Sequence, residues 1–159
     1  MGLKQLIENC KNNNTQAQSE LYKLFSGKLF SISLKYSRNY VEAEDNLQDA
    51  FLTIFKKIEQ YKHKGSFEGW IRRILVHTAL EKFRDKNYLF AVNMETDYDP
   101  NRNKYDHILS ELSAKDLMKL IQDLSPQYRS VFNLYAVEGY SHKEICKMLN
   151  IKEGTSKSN

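Results

Sequence analysis

The sequence predicts an all-α chain, with two small helical domains joined by a flexible linker. Three observations lead there. Apolar residues recur with a period near 3.6 and no strand-like alternation bounded by turns is present. Only two prolines, Pro100 and Pro126, occur in 159 residues. Between Tyr88 and Ser110 the helical pattern fails, and it resumes afterwards.

Taken in order, a short first helix covers about Leu3 to Lys11. Asn13, Asn14 and Thr15 offer caps for a second helix, from about Gln16 to Arg38, with Leu21, Leu24, Phe25, Leu29, Ile32 and Tyr36 expected inward. A third helix runs from about Val41 to Gln60. Residues 61–65 form a loop, and Ser66 caps a fourth helix reaching about Lys86. The stretch from Tyr88 to Ser110 carries four acids against two bases, with Pro100 and several asparagines, which is linker composition. Ser113 caps a helix to Asp123. Ser125-Pro126 places a cap and a first-turn proline before a helix to Glu138, closed by Gly139. Ser141 and Glu144 have capping-box spacing and open a helix to about Leu149.

Composition narrows the function classes. The chain holds 24 Lys+Arg against 20 Asp+Glu, net +4, a mild excess whose distribution has to decide its meaning. Cys10 and Cys146 lie far apart without metal-ligand spacing, so neither a disulfide framework nor a zinc site is supported, and a reducing cytoplasm is the simplest setting. The N-terminus lacks the apolar core of a signal peptide. No apolar run approaches the ~20 residues of a membrane span, and Leu6 replaces the hydroxyl residue a myristoylation signal needs.

Charge is segregated along the chain. The third helix sorts into an apolar face, Leu47, Ala50, Phe51, Ile54 and Ile58, and an opposite face of Asp45, Gln48, Asp49, Leu52, Lys56 and Glu59, with net charge −3 over the helix. Two readings fit that outer face: plain solvated surface, or a dock for a basic partner with Leu52 as apolar anchor. From Tyr61 to Tyr88 the sign inverts. Seven cations, Lys62, Lys64, Arg72, Arg73, Lys82, Arg84 and Lys86, oppose three carboxylates, net +4, with Tyr61, Phe67 and Trp70 at the junction of loop and helix. Cations meet phosphates and rings accept exposed bases, so this segment suits nucleic acid. The simpler reading, that the rings are core, is favoured for Trp70 and stays open for Phe67.

The last segment has helix-turn-helix grammar, in which the second helix uses its early residues to read the major groove. Here the helix from His142 to Leu149 is followed by a turn at Asn150-Ile151 and the run Lys152 to Ser158. Asp97-x-Asp99-x-Asn101 resembles the opening of a calcium loop, but Arg102 replaces the turn glycine and Ile108 the bidentate glutamate. His63, His77, His107 and His142 lack paired metal spacing, and no Ser or Cys sits in a nucleophile motif. No enzyme activity, metal or cofactor is therefore expected.

Three ordered stretches together resemble the extracytoplasmic-function (ECF) sigma factors of bacterial RNA polymerase over nearly the whole chain. Ala43-Glu44-Asp45-Asn46-Leu47-Gln48-Asp49-Ala50-Phe51 resembles the region 2 signature. Phe67-Glu68-Gly69-Trp70-Ile71-Arg72-Arg73-Ile74 with Thr78-Ala79-Leu80 is similar to the element that follows it. Leu124 to Phe132, Glu138 to Ile145 and Gly154 to Ser158 resemble region 4. The resemblance implies a region 2 domain at 1–87, a linker at 88–110 threading toward the RNA exit path, and a region 4 helix-turn-helix domain at 111–159. It assigns Asp45, Gln48 and Asp49 to core RNA polymerase, and Leu52, the apolar anchor read from the same helix face, is grouped with them. Lys62, Lys64, Ser66, Phe67, Arg73, His77 and Arg84 are assigned to the −10 element, and Ser141, His142, Lys143, Thr155, Lys157 and Ser158 to the −35 element. Its partners are core polymerase, promoter DNA and, as a third candidate, an anti-sigma factor. His77 departs from the family's usual Asn, and the recognition helix is expected to be cut short, because the basic residues that normally follow Ser158 are missing. A second reading stays open at this stage, a protein of the same fold that sequesters a partner without productive DNA binding.

Overall fold

Local caps and buried stripes set the bounds of several helices. The computed structural model describes the backbone of residues 2–90 and 114–158, and side chains over 2–84 and 114–158. All described regular structure is helical. Two units emerge, Met1–Ala79 and Leu80–Asn159.

In the first unit, α1 (Leu3–Lys11) buries Leu6, Ile7 and Cys10, one helical face. Asn13 turns into the left-handed region to close it, and the Asn14 side chain caps α2 (Thr15–Lys35) by accepting from the Ala17 N–H at 3.0 Å. The buried positions of α2 step by four: Ala17, Leu21, Phe25, Leu29 and Ser33. Leu24, expected inward, is exposed, because it sits about 100° around the helix from Phe25. Ile32 is half-buried and Tyr36 buried just past the helix end.

The second helix stops at Lys35, three residues before the expected Arg38. Buried hydroxyls take over from there. Ser33 Oγ donates to the Ala43 carbonyl at 2.8 Å, Ser37 Oγ donates to the Ser33 carbonyl at 2.7 Å, and Asn46 Nδ2 donates to Ser37 Oγ at 3.0 Å. These bonds knit the end of α2 to α3 (Tyr40–Lys57), which Asn39 caps by accepting from the Glu42 N–H at 2.9 Å. Leu47, Ala50, Phe51 and Ile54 are buried along α3, and Ile58 on the 3-10 turn that follows, as the periodicity predicts. Ser66 Oγ accepts from the Gly69 N–H at 3.0 Å and starts α4 (Phe67–Phe90), whose Ile71 and Leu75 join the same core.

In the second unit, α5 (Ala114–Asp123) is followed by α6 (Pro126–Phe132), with Pro126 in the first turn. Arg129 is only 4% exposed. Its guanidinium donates to the carbonyls of Ile121 (3.2 Å), Gln122 (2.8 Å) and Leu124 (2.8 Å), satisfying the open C-terminal end of α5. The expected helix to Glu138 is α-helical only to Phe132. Asn133–Val137 forms a π-helical turn, in which the Glu138 N–H donates to the Asn133 carbonyl at 2.9 Å. Gly139, with φ 77°, ends it. A full capping box between Ser141 and Glu144 opens α7 (His142–Leu149), Asn150 closes it in the left-handed conformation, and α8 (Glu153–Ser158) follows. Among the described residues from Ala114 onward, the buried apolar ones are Ile121, Val131, Leu134, Ile145 and Leu149.

Most of the expected linker, together with the calcium-like stretch and His107, lies outside the described residues. Among the described residues no helix is long and apolar enough to cross a membrane.

Candidate nucleic-acid interface

The outer side of α3 presents Asp45, Gln48 and Leu52 to solvent, with Asp49 half-buried beside them. Leu52 is 70% exposed, although Phe51 beside it and Ile54 two positions on are buried. Val41, 68% exposed, was missed by the sequence reading. Its spacing to Asp45, Gln48 and Leu52 is four, three and four, so the four residues form one straight stripe with an apolar residue at each end. That spacing was the available signal.

Past α3 the chain turns into the basic loop. Lys62, Lys64 and Ser66 are exposed, and neither lysine has an ion-pair partner among the described residues. The Ser66 hydroxyl is engaged as the cap of α4, and a Cβ on Gly69 would approach it to 3.0 Å, so the glycine keeps the cap unstrained. Along α4, Arg73 and His77 are exposed, as is Arg84 further on, while Leu80 is buried. Arg73 Nε reaches back toward the Gly69 carbonyl at 3.5 Å.

Phe67 requires a correction. It is 3% exposed, with ring centroids 5.6 Å from Phe25, 5.2 Å from Tyr61 and 5.7 Å from Trp70, so it belongs to the core and not to a DNA-facing set. Trp70, read as core, is only partly buried and packs on the rim of that cluster. The burial order of the two rings is the reverse of the expected one.

Two more residues shape the loop without having been singled out for it. Tyr61 Oη donates to the Gly65 carbonyl at 2.9 Å, and His63 Nε2 lies 3.2 Å from Glu8 Oε1. The bond from Lys11, then the one from His63, hold the Glu8 carboxyl below its ordinary range, so it is charged at neutral pH.

In the second unit the structure brings His142 and α8 together. His142 Nδ1 is 2.8 Å from Ser156 Oγ, and the imidazole stacks on Tyr135 at 4.4 Å and 15°. The Ser141 hydroxyl accepts from the Glu144 N–H at 3.2 Å, so it too serves the fold. Lys143, Lys157 and Ser158 are exposed and Thr155 is half-buried. Lys157 pairs with Glu153 across one turn at 3.3 Å, an exposed contact of small energy that a phosphate can displace. Among the described residues, no group of three or more His, Cys, Asp or Glu is placed to hold a metal ion.

These surfaces coincide with known protein patterns. Residues 21–88 match the family model described as Sigma-70 region 2, and residues 105–159 the one described as Sigma-70, region 4. The chain is 31% identical over 145 residues to the ECF RNA polymerase sigma factor SigE of Mycolicibacterium smegmatis, covering 87% of this chain and 55% of that one. It thus spans little more than half the length of that relative. With the ECF RNA polymerase sigma factor SigW of Bacillus subtilis the identity is 25% over 170 residues, covering 99% of this chain and 90% of the other. Among solved structures, the sigma factor RpoE from Bartonella quintana, crystallised with the anti-sigma factor NepR, has a similar fold. The TM-score is 0.52 at 18% identity, over 88% of this chain and 87% of that one.

Proposed function

Because the chain belongs to the extracytoplasmic-function sigma factors, we propose that it is a non-catalytic promoter-specificity subunit that binds core RNA polymerase, recognises −10 and −35 elements and assists DNA melting. The observation that carries this reading is the change of surface character within one unit. An acidic stripe ending in exposed Val41 and Leu52 is followed, within ten residues, by a loop whose Lys62 and Lys64 have no ion-pair partner among the described residues. A protein that bridges a protein partner and a nucleic acid needs that succession.

Within this reading, Asp45, Gln48, Asp49 and Leu52, joined by Val41, contact the polymerase. Lys62, Lys64, Arg73 and Arg84 meet −10 phosphates, while Ser66 and His77 discriminate among bases. In the second unit Lys143, Lys157 and Ser158 face the −35 element, and Ser141, His142 and Thr155 support them. An anti-sigma factor is the regulator proposed alongside these partners.

Reconstituted transcription tests the proposal. The purified chain and core polymerase are offered a template library randomised at both elements. Start-site-specific transcripts enriched for one −10 and one −35 sequence are expected. Tight core binding with no promoter-specific transcript from any template would overturn the proposal in favour of sequestration.

A further inference from the structure

Residues 62–66 are held from two sides before any DNA arrives. The segment contains two left-handed residues, His63 with φ 57° and Gly65 with φ 77°. Glycine takes that conformation freely, whereas a histidine adopts it at a cost that neighbouring contacts can offset. Such contacts are present. The His63 ring lies 4.9 Å from the Tyr61 ring, and its Nε2 is 3.2 Å from Glu8 Oε1. Lys11 Nζ donates to the same Glu8 oxygen at 2.8 Å and reaches the Tyr61 carbonyl at 3.4 Å. On the far flank, Tyr61 Oη donates to the Gly65 carbonyl at 2.9 Å. The two exposed lysines, Lys62 and Lys64, flank His63 in this arrangement.

We propose that Glu8 and Tyr61 are positioning residues that preorganise the promoter-reading loop, with α1 acting as its brace. The inference rests on the proposed function, in which that loop meets the −10 element. Neither residue touches DNA in this scheme. Both act by fixing the shape that Lys62, Lys64 and Ser66 present, so that ordering the loop costs nothing further on binding. Glu8 and Lys11 lie before residues 21–88, the stretch matched by the region 2 model, so the brace is supplied by a part of the chain outside that pattern. The Glu8 carboxyl, held below its ordinary range by Lys11 and then His63, is a charged acceptor at neutral pH.

The test uses the full chain with core polymerase and a −10 library. Tyr61→Phe keeps the ring and removes the hydroxyl bond to Gly65. Glu8→Ala removes the link from α1, and Glu8→Gln keeps an oxygen acceptor there. Tyr61→Phe and Glu8→Ala should each reduce the preference for the matched over a mismatched −10 base by about two- to tenfold, the worth of one such bond. Core affinity and helix content should not change, and Glu8→Gln should recover part of the loss. Unaltered preference in both variants would overturn the brace, as would an equal loss of core affinity, which marks a general structural role. Lys64→Ala and His77→Ala separate the two levels of the argument. If they impair opening while the brace variants do not, only the positioning role fails; if they too have no effect, the loop does not read the promoter and both claims fall.

Discussion

Phe67 offers the sharpest division between a ring that holds the fold and a ring that reads a base. Truncation to alanine removes a phenyl group with 3% exposure from among Phe25, Tyr61 and Trp70. Losing so enclosed a ring costs about 3–5 kcal/mol, the transfer and cavity terms together. A unit of this size has a total stability of roughly 4–12 kcal/mol, so the alanine variant is marginal. Phe67→Leu retains most of the volume and should cost about 1–2 kcal/mol, leaving a folded protein whose promoter preference is measurable. The chain has a single tryptophan, Trp70, in contact with the site, so urea unfolding followed by its emission reports this unit directly. The expected outcome is a large shift of midpoint for Phe67→Ala, a small one for Phe67→Leu, and an unchanged −10 preference for the leucine variant. A loss below about 1 kcal/mol in Phe67→Ala, or altered base preference in folded Phe67→Leu, would refute the core assignment.

Other outcomes follow from the same surfaces. Reversing Asp45 and Asp49 to lysine should weaken core polymerase binding by several kcal/mol without unfolding the protein, read by competition binding and circular dichroism. Lys62→Ala and Lys64→Ala should each weaken promoter binding across all sequences and lower the slope of log K against log salt by about one unit. Arg129→Met should destabilise the second unit by about 2–4 kcal/mol, because three carbonyls at the end of α5 lose their donor. Thermal circular dichroism should show that loss while Trp70 emission, from the first unit, stays unchanged.

Local grammar made much of the fold legible. The capping box at Ser141 and Glu144, the Ser66 cap and the apolar face of α3 are set by neighbours within a few residues, and they lie where spacing puts them. Other features depend on partners distant in sequence. Phe67 is buried because Phe25 closes over it, and His63 is pinned by Glu8, 55 residues earlier, neither of which leaves a periodic trace. The early stop of α2 rests on serine hydroxyls that read as ordinary surface residues until Asn46 and Ala43 meet them. The π-turn at Asn133–Val137 adds one residue to a helical circuit, and the composition of that stretch does not announce it. Within the candidate site, charge and spacing marked the exposed residues well, whereas the ring that is enclosed and the ring at the rim were told apart only by packing.

The hydroxyl of Ser156 behaves as a key in a keyway for the last helix. Seating Ser156 against His142 indexes it, and two positions along in either direction, Gly154 and Ser158 come round by about 160° to the opposite pole. The vocabulary open to retargeting by exchange of side chains is thereby fixed: positions 154, 157 and 158 are free to vary, while 142 and 156 must change as a pair or not at all. A residue inserted in the turn at 150–152 would have to break that key or twist the whole helix by a third of a circuit, turning a different set of side chains outward.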